Sequence, residues 1–61
     1  NWIEKIEIRG VRSSPVSVAL KVYGEAGQSL TGWKYDGKME KLTLRKPGVL
    51  ITKQYSIELF F

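Results

Sequence analysis

The chain has 61 residues, 43% of them hydrophobic, with no cysteine, no histidine and a formal net charge of +4. That length holds one domain at most and buries only about 60% of the unfolded surface, with neither a disulfide nor a Cys- or His-built zinc site to reinforce it. No apolar run approaches the roughly 20 residues that a membrane-spanning helix needs, and the basic balance favours a polyanionic partner only where the cations share a face.

Alternation of apolar and polar residues dominates from the start and predicts half-buried strands. "WIEKIEI" places Trp2, Ile6 and Ile8 on one face and Lys5, Glu7 and Arg9 on the other. Gly10 ends that run, and "RSSP" (Arg12 to Pro15) is loop chemistry. "VSVALKVY" puts Val16, Val18, Leu20 and Val22 on one side of a second strand. "GEAGQS", with its two glycines, reads as a connection. "LTGWKY" follows as a strand with Thr31, Trp33 and Tyr35 sharing a face.

Asp36-Gly37 is a dipeptide favoured in two-residue hairpin turns, whose central residues both need positive φ. It predicts antiparallel pairing of "LTGWKY" with "KMEKLTLR", in which Leu42 and Leu44 face one way. Pro47-Gly48 carries the type II turn signature, Pro fixing φ at the second position and Gly accepting positive φ at the third. "VLIT" after it is short, apolar and expected to be strand-like. "YSIELFF" closes the chain with Tyr55, Ile57, Leu59 and Phe61 on one face. Five to six short strands between turn signals predict an all-β antiparallel sandwich in which residues 1–61 form a single segment. The start at Asn1 directly into the alternating pattern and the "ELFF" ending lead us to expect a fragment of a larger chain, with polypeptide outside these positions completing the sandwich.

Candidate chemistry is sparse. Glu4, Glu7, Glu25, Asp36, Glu40 and Glu58 are mostly interleaved with Lys or Arg or placed at turns, the pattern of solvated surface charge rather than of two convergent acids. No phosphate-cradling glycine loop and no metal-ligand spacing occurs, so no catalytic, metal or cofactor-binding residue is assigned and no cofactor is implied. Trp33 and Tyr35, two apart on a strand, could serve as cross-strand packing, as a surface on which a sugar ring stacks, or, with Lys34, Lys38 and Lys41, as a platform for bases. The alternation of acids with bases along the strands weakens the nucleic-acid reading. Arg45 and Lys46 flank the Pro-Gly corner and, as adjacent strand residues, point to opposite faces, which suits a solubilising role.

The order "KIEIRGV", then "SVALKVYGEAGQSLTGWKYDGKMEKLTLRKPGV", then "YSIELFF" resembles the carboxyl-terminal end of glycoside hydrolase family 31. "LRKPGV" (Leu44 to Val49), "SIEL" (Ser56 to Leu59) and the "DGKMEKLTL" hairpin before them carry the likeness. It covers most of these residues but only a small final part of such an enzyme. "VRSSPV" and the "FF" ending depart from it. The resemblance implies a β-sandwich domain packed beside a (β/α)₈ barrel, with the catalytic carboxylates on that barrel. The family's nucleophile and acid motifs have no counterpart here. It further implies a parent α-glucosidase of the endoplasmic-reticulum lumen that trims glucose from N-linked glycans by retaining hydrolysis. The partners it implies are the remainder of that chain, namely its catalytic barrel and upstream strands, and a non-catalytic β subunit. Neither a membrane nor nucleic acid is among them. The rival reading from the residues is an autonomous basic β-barrel that binds nucleic acid through Trp33, Tyr35 and the neighbouring lysines.

Overall fold

The computed structural model describes all 61 residues and is all-β. Six strands form, β1 (Lys5–Arg9), β2 (Ser17–Val22), β3 (Gln28–Leu30), β4 (Trp33–Asp36), β5 (Lys41–Arg45) and β6 (Tyr55–Phe60). They make two three-stranded antiparallel sheets, ordered β1-β5-β4 and β3-β2-β6. The antiparallel sandwich expected from the alternation is therefore the architecture observed. The chain passes between sheets three times, from β1 to β2, from β3 to β4 and from β5 to β6, so each sheet is built from non-consecutive parts of the sequence.

Period-two alternation explains what lies between the sheets. Leu42 and Leu44 of the central strand β5 and Val18 of the central strand β2 are buried together with Val11. Ile6 and Ile8 from β1, Trp33 and Tyr35 from β4, Leu30 from β3, and Ile57 and Leu59 from β6 pack around them. A second group, Leu20, Val22 and Val49 with Ile3, fills the other end under β2.

Several local expectations are corrected. "LTGWKY" is not one strand. Leu30 ends β3 in one sheet and Trp33 opens β4 in the other, with Thr31-Gly32 as the corner. Residues three apart on a continuous strand would face opposite ways, whereas the corner lets Leu30 and Trp33 both turn inward and leaves Thr31 exposed. Val16, expected inside, is 77% exposed. Its N–H donates to the Phe60 carbonyl at 2.7 Å, although Phe60 faces Ser17 in register, so two residues oppose one. That is a bulge, and it rotates Val16 outward, while Pro15 before it is buried.

Trp2 is 64% exposed rather than aligned with Ile6 and Ile8. Glu4 and Lys5 both face solvent, so the alternation skips a residue and Ile3 turns inward instead. "VLIT" forms no strand. Leu50 makes a single bridge to Trp2, and the Lys53 N–H returns to the Leu50 carbonyl at 3.0 Å as a tight turn. Tyr55 and Phe61 remain exposed while Ile57 and Leu59 are half-buried against the core.

The β4–β5 hairpin pairs as expected, but not through a two-residue turn. Asp36 faces Lys41, so Gly37–Glu40 form a four-residue connection. The Asp36 carboxylate accepts from the Lys38 and Met39 N–H groups at 3.0 and 3.2 Å, winding the loop. The positive φ falls on Glu40, at 52°, rather than on Gly37. At the Pro-Gly corner Gly48 takes the positive φ, at +80°, Lys46 before the proline is also at positive φ, 48°, and Pro47 is buried. The corner ends the β1–β5 ladder and sets Val49 into the second core group, where its carbonyl accepts the Ile3 N–H at 2.8 Å.

Two substitutions test this frame by thermal unfolding. A domain of this size has a total stability of about 3–9 kcal/mol, and truncating a fully buried leucine costs about 2–5 kcal/mol. Leu42→Ala is expected to lower the melting midpoint by at least about 10 °C. Gly48→Ala, where an added Cβ meets no neighbouring residue within 4 Å, must hold a side chain at φ +80° against its own backbone and should cost about 1–2 kcal/mol.

Candidate functional site

The pleat of β4 sorts the residues singled out from the sequence onto two faces. Trp33 and Tyr35 lie on the inner side, opposite Leu44 and Leu42 of β5, and pack on the core. The Tyr35 hydroxyl donates to the Val11 carbonyl at 2.6 Å, and the Val11 N–H donates to the Glu40 carbonyl at 2.9 Å. Tyr35 thus locks the loop after β1 onto the β4–β5 hairpin. Lys34 points the other way, beside Thr43 on the outer face. The aromatic pair and the lysines Lys34 and Lys41 are separated by the sheet itself, so these aromatics and cations do not form one platform. Asp36, Gly37, Pro47 and Gly48 all sit at the turns or corners described above.

The outer face of β1-β5-β4 gathers charge instead. Lys5, Glu7 and Arg9 of β1 lie across from Arg45, Thr43 and Lys41 of β5, with Lys34 and Asp36 of β4 completing the face. Five cations and two carboxylates share this surface. Alternation along single strands hid the accumulation, and only the pairing of β1 with β5 across 32 or more residues of sequence brings the cations together.

Glu7 sits among three of them. Its carboxylate accepts a hydrogen bond from the Lys41 ammonium at 3.3 Å, with Lys5 at 3.5 Å and Arg9 at 3.7 Å. The Lys41 hydrogen bond and charge, helped by Lys5, hold the Glu7 carboxyl below its ordinary value. Lys34 and Arg45 make no ion pair. The remaining carboxylates, Glu4, Glu25, Glu40 and Glu58, are exposed and dispersed, and no three His, Cys, Asp or Glu side chains gather in a metal-holding group.

The aromatics that do reach solvent were not foreseen as a site. Tyr23 and Tyr55 line an open cleft of about 350 Å³ with Lys21, Gly24, Gln54 and Ser56. Both lie at the same end of the β2–β6 pair, where Tyr55 pairs with Val22 in register and the Tyr23 N–H donates to the Gln54 carbonyl at 2.9 Å. Trp2 lies beside a second shallow depression with Glu4, Lys46 and Gly48. The sequence signal for the first pair was weak, since its members stand 32 positions apart and each reads alone as the edge of a strand. No protein-family model matches the chain, and no curated protein does either.

Two measurements follow. Tyr35→Phe leaves the partly buried Val11 carbonyl without its donor and should cost about 1–2 kcal/mol, whereas Lys34→Ala next to it should change stability by less than about 0.5 kcal/mol. Glu7 titrates lower when folded than unfolded, so its contribution is present above the ordinary glutamate range. That contribution is lost as pH falls through the folded value. Unfolding midpoints taken through the acid range should drop there, and Glu7→Gln should flatten that part of the profile.

Proposed function

We propose that this chain is a non-catalytic carboxyl-terminal β-domain segment of a glycoside hydrolase family 31 enzyme. The parent is an α-glucosidase of the glucosidase II α-subunit type, which removes glucose from N-linked glycans in the endoplasmic-reticulum lumen. The chemistry belongs to the parent's barrel, and this segment is scaffold. The observation that carries the reading is where the residues of the likeness fall. Leu44, Pro47 and Val49 are buried, Gly48 takes the positive φ of the corner, and Ile57 and Leu59 line the core from β6. These apolar residues and the glycine build the sandwich and turn its corner, beside exposed Arg45, Lys46, Ser56 and Glu58, which suits a segment whose role is architectural. The partners of such a segment are the parent's barrel, its upstream strands and a non-catalytic β subunit.

The five cations on the outer face of β1-β5-β4 favour a second reading, binding of nucleic acid through its phosphates. It ranks below the first because that face carries no aromatic on which a base could stack.

Both are tested directly. Mass spectrometry of the chain isolated from its source should find the 7.0 kDa polypeptide travelling under native conditions with a much larger one, the complex cleaving an α-glucoside, and released only on denaturation. A chain that travels alone overturns the scaffold reading. If phosphate binding is instead its role, affinity for a single-stranded oligonucleotide should fall steeply with salt. Substituting Lys34 and Arg45 by alanine should then lower the salt slope by about one per cation removed.

A further inference from the structure

Of the four sheet edges, three are protected. β1 carries Lys5, Glu7 and Arg9, β4 is four residues long and includes Lys34 and Asp36, and β3 has only three residues. Short length and charge are common means of keeping an edge from pairing with another chain. β6 has neither. Its six residues, "YSIELF", include no lysine or proline and one charge, Glu58, and Tyr55, Phe60 and Phe61 are exposed at its ends.

The direction of its peptide groups follows from the bonds to β2. The carbonyls of Gln54 and Phe60 accept from Tyr23 and Val16. In an antiparallel strand both backbone groups of a residue point the same way and alternate along the chain. Ser56, Glu58 and Phe60 therefore face β2, and the N–H and C=O groups of Tyr55, Ile57 and Leu59 point outward from a sheet that ends at β6.

We infer that this edge pairs with the same edge of a second copy of the chain, joining two β3-β2-β6 sheets into one six-stranded sheet about a two-fold axis. The symmetry restricts the register sharply, because residues opposite one another must share a face. Centring the axis on Glu58 sets two carboxylates against each other. Centring it on Leu59 leaves Tyr55 without a partner in β6. Centring it on Ile57 sets Tyr55 opposite Leu59 and Ile57 opposite itself, so every outward N–H and C=O of the three residues is paired. It also sets Ser56 opposite Glu58, in the closely spaced positions where side chains approach most nearly. Of these three registers, only this one satisfies the edge and separates the charges, and that complementarity of the strand to itself argues for a second copy as its occupant.

Sedimentation of the 7.0 kDa chain, with far-ultraviolet circular dichroism on the same samples, tests this. The expected result is a mass that rises from one chain toward two with concentration while the β signal is retained or strengthened. Chemical synthesis with an N-methyl group on Ile57 removes one outward donor, leaves the side chain in place, and should return the mass to one chain. The register has its own readout. Ser56→Lys should tighten the dimer several-fold by facing Glu58 of the second copy, and Ser56→Glu should loosen it by a similar factor. A mass that stays at one chain at every concentration overturns the inference and leaves the edge to a strand of another polypeptide. A dimer that ignores N-methylation, or one indifferent to the charge at position 56, is joined elsewhere or in another register, and overturns it equally.

Discussion

Everything else in this molecule depends on the contact between two central strands that are far apart in sequence. Leu42 and Leu44 on β5 meet Val18 on β2, and the flanking strands add their half-buried residues around that seam. Hydrophobic burial is proportional to the area removed from water, and a 61-residue chain has little area to remove. The seam has no covalent reinforcement, since the chain contains no cysteine. Each crossing between the sheets therefore has to deliver its apolar residues to the same thin layer. The Pro15 bulge, the Thr31-Gly32 corner and the Pro47-Gly48 corner are the three places where this happens. At each of them the simple alternation of the sequence is broken so that the alternation of the sheet can continue.

This explains which parts of the architecture were legible from the residues. Where a strand stays in one sheet, period two is a faithful guide. Val18, Leu20 and Val22 are inside, as are Leu42 and Leu44, and the pairing of the Trp33 strand with the Leu42 strand follows from the loop between them. Where the chain changes sheets, period two misleads. Val16, Trp2 and Thr31 sit at a bulge, a skipped residue and a corner, where the alternation of the sequence no longer tells inside from outside. The Asp36 turn failed for a different reason. The carboxylate can bond to the N–H groups of the next residues, and that local alternative outcompetes a two-residue turn, moving the positive φ to Glu40.

The candidate site was legible in its residues but not in its geometry. Trp33, Lys34 and Tyr35 are adjacent in sequence, and adjacency on a strand means opposite faces. The inner face claims the aromatics because the sandwich needs their area. The Tyr35 hydroxyl then finds the Val11 carbonyl rather than water. The outer face collects the cations because β1 and β5, each alternating in charge by itself, pair with cations opposite cations at both ends, Lys5 beside Arg45 and Arg9 beside Lys41. Glu7 lies between these two pairs and within reach of Lys5, Arg9 and Lys41. Its lowered pKa is the electrostatic signature of that arrangement, and it reads as relief of cation repulsion rather than as preparation for acid–base chemistry.

The small core and the open edge are two aspects of one condition. Eight large hydrophobic residues remain exposed; Tyr55 and Phe60 belong to β6, Phe61 follows it, and Val16 lies in the bulge beside it. A free-standing domain would gain by covering them, and a β-strand edge covers itself most economically by accepting another strand, since the backbone bonds and the flanking apolar contacts arrive together. In a larger enzyme that strand would come from the remainder of the chain, and the scaffold role and the unprotected edge would then have a common cause. In the isolated polypeptide the nearest strand of suitable length and alternation is β6 of another copy. Its fit to itself about Ile57 shows why an edge evolved without lysine or proline is compatible with either occupant. What such an edge requires is alternating apolar residues on its inner side and no like charge opposite Glu58, and the rest of the partner's sequence is left free.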